Sequence, residues 1–137
     1  MNKINKDEWY MNISETVSER ASCLRCKVGS VLVKDWIIIS TWINWNARWE
    51  LDCINKWCTL KDWHCVSTIH SELNCILNCA RIWVSTLWTI LYCTYKPCDN
   101  CSRIIINAWI SKVFYKNDYK WDYTIKLEDY IEVIKLV

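Results

Sequence analysis

Thr68-Ile69-His70-Ser71-Glu72-Leu73-Asn74-Cys75-Ile76-Leu77, followed by Thr89-Ile90-Leu91-Tyr92-Cys93-Thr94-Tyr95 and then Pro97-Cys98-Asp99-Asn100-Cys101, is the stretch on which the fold turns. Ile69, Leu73, Ile76, Leu77 and Ala80 share one face at helical spacing, which predicts a helix from Ile69 to Ile82 with His70 and Glu72 in its first turn. Thr89 to Tyr95 is rich in β-branched and aromatic residues and reads as a strand. Pro97 suits the first turn of a second helix reaching about Ala108, because its missing N–H would have had no partner there. A strand between two helices is the unit of an α/β protein.

The flanks repeat this alternation. Asp7 to Ser22 carries Trp9, Met11, Ile13 and Val17 among charged residues and predicts a helix. Val28 to Val33 and Ile37 to Ile43 read as two strands joined at Asp35-Trp36. From Asn44 to Asp62 no period holds, and a loop that long in a compact domain is usually functional. Lys112 to Tyr115 and Ile131 to Val137 supply two more strands. The order implies one domain over residues 1–137, an α/β/α sandwich of three layers around a mixed sheet of roughly five strands, with parallel pairing in part of it.

Composition bounds the partners. No apolar run approaches the ~18 residues a membrane span needs, and the polar start Met1-Asn2-Lys3-Ile4-Asn5-Lys6-Asp7-Glu8 has no export-signal character. Seventeen basic against fifteen acidic residues give a net charge of +2, too small to argue for a nucleic-acid footprint. A cytoplasmic protein is expected. In that reducing compartment, ten cysteines are better read as metal ligands or small buried residues than as disulfides. Cys65, Cys75, Cys79 and Cys93 lie in apolar stretches and read as packing residues.

His70, Cys98 and Cys101 are three soft ligands, and Glu72 is a carboxylate beside them that can move protons. A catalytic zinc usually keeps three protein ligands and one open position, whereas a structural zinc is closed by four. Both halves of the set fall at helix starts, where free N–H groups and the dipole favour thiolate over thiol. The competing reading is a structural zinc knot using Cys23-Leu24-Arg25-Cys26 as a second C-x-x-C. The two pairs stand much further apart than the ~15–20 residues of zinc ribbons, and a knot leaves Glu72 without a role.

The H-x-E and P-C-x-x-C pair is the recognised signature of zinc-dependent nucleobase deaminases. Cys23-Leu24-Arg25, Lys27 to Val33, Ile39 to Trp45, Asp62 to Cys65 and Thr68 to Glu72 further resemble the deoxycytidylate (dCMP) deaminase family, in order and over nearly the whole chain. The resemblance implies a zinc hydrolase that converts dCMP to dUMP and ammonia. By the same resemblance, hydroxide attacks C4 of the cytosine ring while Glu72 protonates N3 and then the leaving amine. It also implies that Asn44 contacts the sugar, and it makes Arg25, Arg81 and a tyrosine, Tyr119 or Tyr115, candidates for the phosphate or subunit contacts. Arg81 could equally serve its helix dipole, and the tyrosines could be core aromatics. Some members carry a second zinc, for which Cys23, His64 and Cys53 or Cys58 are available; packing cysteines and a surface histidine are the other reading. The family suggests a hexamer. Other outcomes within the fold are a deaminase of guanine, cytosine or tRNA adenosine, or a module that only binds zinc or a nucleotide.

One glycine and eleven tryptophans are abnormal against a usual glycine share of about 7%. Trp36 stands where a tight hairpin favours Asp-Gly, and Trp83 and Trp109 follow helices by a step, where glycine is common. The family pattern has glycine at Trp36, Trp42, Trp45, Trp63, Trp83, Trp88 and Trp109, and commonly alanine at Ser71. A codon read as glycine in the source and as tryptophan under another code would account for this. A tryptophan-rich protein is the alternative.

Overall fold

The computed structural model describes residues 2–137. Helix α1 (Lys6–Ser18) starts at Asn5, whose side chain accepts from the Asp7 and Glu8 N–H groups. It ends four residues before the expected Ser22, in a run of i→i−3 bonds from Glu19, Arg20 and Ala21. Strands β1 (Gly29–Lys34) and β2 (Ile37–Ile43) form an antiparallel hairpin. The segment read as an unperiodic loop contains a short helix α2 (Cys53–Lys56) and, with the residues after it, a small hairpin of β3 (Leu60–Lys61) and β4 (His64–Cys65). These elements are too short to leave a hydrophobic period.

Helix α3 (Ser71–Arg81), strand β5 (Ile90–Tyr95), helix α4 (Asp99–Asn107), strand β6 (Lys112–Asn117), a 3₁₀ turn at Leu127–Asp129 and strand β7 (Glu132–Lys135) complete the chain. The five-stranded sheet runs β2-β1-β5-β6-β7. It is mixed, as expected: β1 pairs antiparallel with β2 and β5, whereas β5–β6 and β6–β7 are parallel.

Strand alternation builds the layers. Val31, Val33, Tyr92 and Phe114 face one side, where Tyr10 and Met11 of α1 cover them. Leu32, Leu91, Cys93 and Val113 face the other, against Cys75 and Cys79 of α3 and Ile105 of α4. The result is an α/β/α sandwich. Gly29 is where α1 crosses β1 most closely: a Cβ there would meet the Ser14 carbonyl oxygen at 2.1 Å. No helix among the described residues is long and apolar enough to cross a membrane.

Candidate active site

The pocket opens where α3 and α4 begin, beside the carboxyl end of β5. His70 is the N-cap of α3 and Cys98 the N-cap of α4, each with extended backbone and no side-chain capping bond. Pro97 therefore precedes the cap instead of sitting inside the helix. An isolated bridge between Trp45 and Ile69 fixes the residue before His70. His70 Nδ1 lies 3.4 Å from both Cys98 Sγ and Cys101 Sγ. A tetrahedral zinc with bonds of about 2.3 Å to sulfur and about 2.05 Å to nitrogen separates those atoms by about 3.5 Å, so these three side chains fit the ion.

The three clustered groups share protons and charge among themselves, and Cys98 and burial keep the Cys101 thiol well above its ordinary range. The Cys101 thiol and then His70 hold the Cys98 thiol down at about 4, against the effect of burial. Cys98 in turn pushes His70 up to about 9, although burial opposes it. Glu72 is only 5% exposed and is not one of the three clustered side chains. Burial raises its pKa, with the positive charge on His70 acting the other way. Ser71 Oγ lies 2.6 Å from Ser30 Oγ and donates to Glu72 Oε2 at 3.2 Å, so the carboxylate has a fixed partner.

Arg25, Asn44 and Tyr119 all line this pocket. Asn44 is already used by the protein: its Oδ1 accepts from Val28 N–H at 2.9 Å and its Nδ2 donates to the Cys26 carbonyl at 2.7 Å. It thereby straps the Arg25-bearing segment over the pocket. Replacing Asn44 with alanine is expected to cost about 1–3 kcal/mol in a thermal or chemical denaturation, because buried backbone partners lose their bonds. Arg81 does not reach the site. It is exposed in the last turn of α3, nine residues beyond Glu72 and thus about 14 Å along the axis, where it suits the negative helix end. Tyr115 is buried in β6.

A second cluster corrects two sequence readings. Cys23, Cys53, Cys58 and Cys65 place their sulfurs within 4.8 Å of one another. The Cys23–Cys58 and Cys53–Cys65 separations are 3.8 and 3.7 Å, against the about 3.8 Å expected between sulfurs on one tetrahedral zinc. His64 is not in this set. Its Nδ1 lies 2.8 Å from the Tyr119 hydroxyl and its ring is 4.6 Å from that of Trp121. Neighbouring residues of a strand point to opposite sides, so only one of His64 and Cys65 can face the cluster. Cys65 does, and is no packing residue. Burial opposes its ionisation, but the Ser67 N–H and the thiols of Cys58, Cys53 and Cys23 outweigh this and bring it to about 7. Cys75, Cys79 and Cys93 are fully buried and raised by that burial.

Tyr95 and Lys96 also line the pocket and were not singled out from sequence, although they directly precede Pro97-Cys98. Lys96 is paired with Glu128 at 2.7 Å. Cys26 completes the same wall next to Tyr95, which lowers its thiol against the dominant effect of burial.

Residues 4–117 match the family model for the cytidine and deoxycytidylate deaminase zinc-binding region. ComE operon protein 2 of Bacillus subtilis is 35% identical over 120 residues, covering 88% of this chain and 64% of that protein. Deoxycytidylate deaminase of Saccharomyces cerevisiae is 30% identical over 122 residues, covering 85% of this chain and 39% of that one. The chain thus spans about two-fifths to two-thirds of the length of these relatives. The crystal structure of dCMP deaminase from the cyanophage S-TIM5 in complex with dCMP and dUMP superposes with a TM-score of 0.83 at 29% identity, covering 99% of this chain and all of that one. The His70, Cys98 and Cys101 cluster and Glu72 lie within the matched region, and the chain belongs to the cytidine and deoxycytidylate deaminase family.

Proposed function

We propose that this chain is one zinc-dependent deaminase domain that hydrolyses dCMP to dUMP and ammonia. The observation that carries the reading is the meeting of three clustered soft ligands with one buried, non-ligating carboxylate in a single pocket. His70, Cys98 and Cys101 would hold the ion. When bound, zinc brings the pKa of a coordinated water toward ~7 and so supplies a nucleophile at neutral pH. Glu72 takes up the proton released at its carboxylate. It delivers that proton to ring N3 as oxygen adds at C4, then takes the proton of the new C4 hydroxyl and passes it to the exocyclic amine, so that the C4–N bond breaks, the C4 carbonyl forms and ammonia leaves. Ser71 and Ser30 hold that carboxylate in place. Arg25 offers a guanidinium at the pocket mouth for the phosphate, Asn44 shapes the same wall beside the sugar, and Tyr119 closes the far side.

The second site enters with a revised ligand set, Cys23, Cys53, Cys58 and Cys65. Four thiols close a zinc completely, which assigns it a structural role. The double variant Cys53→Ala/Cys65→Ala is expected to lower bound zinc from two per chain to one, read by atomic emission on the purified protein. Ten cysteines, all free, suit a reducing cytoplasm, and the hexamer is proposed on the family resemblance of the sequence.

Zinc-loaded protein incubated separately with dCMP, dCTP, cytidine, guanine and tRNA, with ammonia release followed, tests the reading. Release from dCMP above all others is expected. Preference for another base or nucleoside would replace the substrate, and no release by a folded, zinc-loaded chain would leave a binding module.

A further inference from the structure

Among the described residues nine adopt positive φ, and seven of them are tryptophans: Trp36, Trp49, Trp57, Trp63, Trp83, Trp88 and Trp109. Only a few per cent of non-glycine residues do so, and of eleven tryptophans that is less than one. We infer that these seven positions are glycine in the natural polypeptide, specified by a codon that the source decodes as glycine.

The local geometry identifies the residue independently of any count. Lys34 pairs with Ile37 and Lys61 with His64, so Asp35-Trp36 and Asp62-Trp63 are two-residue hairpin loops. Both residues of each loop have positive φ, at 47° and 70° and at 49° and 66°. That is a type I′ turn, whose preferred sequence is Asp-Gly because the second position tolerates almost nothing else.

Two helix ends make the same demand. After α3, Trp83 has φ 61°, its N–H bonds the Ala80 carbonyl at 3.4 Å, and Val84 N–H bonds the Cys79 carbonyl at 2.9 Å. After α4, Trp109 has φ 58°, with Trp109 N–H on Ile106 at 3.1 Å and Ile110 N–H on Ile105 at 3.3 Å. Both are complete Schellman motifs with tryptophan at the glycine position. Trp57, at φ 68° and ψ 160°, occupies a region that is essentially glycine's alone.

The side chains have little structural work to set against this strain: apart from Lys6 over the Trp36 ring at 4.1 Å and an edge contact of Trp88 with Trp109 at 5.9 Å, all seven lie exposed at the surface. Trp49, Trp57, Trp63 and Trp83 are 94, 76, 79 and 95% exposed. Tryptophan is normally highly buried, and surface indoles on left-handed backbone gain neither packing nor a favourable conformation. Trp42 and Trp45, also expected to be glycine from the family pattern, lie on ordinary negative-φ backbone, and Trp121 packs against the core. Those three and Trp9 stand outside the inference. The one written glycine, Gly29, is there for close packing and has no positive φ.

The site depends on these turns. Trp57 and Trp63 flank Cys58 and His64-Cys65, so the backbone that gathers the four thiols passes twice through glycine-shaped conformations. The test is peptide mass spectrometry on the protein purified from its source organism, with digestion products spanning all seven positions. Glycine is expected at each, every replacement lowering the peptide mass by the difference between the two residues. Tryptophan at any of the seven overturns the inference.

Discussion

Glu72→Gln is expected to lower kcat on dCMP by about 10²- to 10⁴-fold, the range that a positioned proton-transfer group contributes. Glutamine keeps the shape and the bond from Ser71 but cannot carry a proton between water, N3 and the amine. Zinc content should stay unchanged, because Glu72 is outside the ligand set. Stability should not fall either. Burial raises the pKa of Glu72, so above the ordinary carboxylate pKa of about 4.3 its ionisation favours the unfolded chain. A neutral glutamine removes that penalty at neutral pH, so the melting temperature should be equal or higher. Unchanged turnover would show that Glu72 moves no proton; loss of zinc would show that it is a ligand.

Glycine at the seven left-handed positions is expected to stabilise the chain more than any other change considered. A side chain in that conformation costs roughly 1–2 kcal/mol. Glycine's greater freedom in the unfolded chain returns about 0.4–1 kcal/mol of this at each position. Trp88 and Trp109 touch and count as one site, and the others are dispersed enough to add approximately, leaving several kcal/mol against a typical net stability of about 5–15 kcal/mol. Expressed in parallel, the glycine version should melt cooperatively and roughly 10–30 °C higher than the tryptophan version. Coincident melting curves would contradict the strain argument.

The layered sheet and the metal ligands were legible in the chain because each leaves a repeating or bipartite mark. Alternation in β1 and β5, helical spacing in α3, and a histidine and two cysteines at helix starts are all local patterns. The second cluster was not legible in the same way. Its cysteines come from four separated places, and a strand of two residues gives no period by which to choose Cys65 over His64. Arg81 misled because a cation near a pocket-forming helix looks the same in sequence at either end of it. Trp49 and Trp57 carry no sequence mark of a glycine position because they lie in the segment without a regular pattern, whereas Trp36, Trp83 and Trp109 stand against a hairpin and two helices.

His70 and Cys98 each stand where a helix would ordinarily be closed by a serine or aspartate, and neither supplies the missing bond. The ion they would share would become the fastener for both helix starts, tying together the first turns of two helices that pack on the same face of the sheet. Its removal should therefore register beyond the chemistry, as simultaneous fraying of the first turns of α3 and α4 in amide hydrogen exchange, with the opposite ends of both helices still protected.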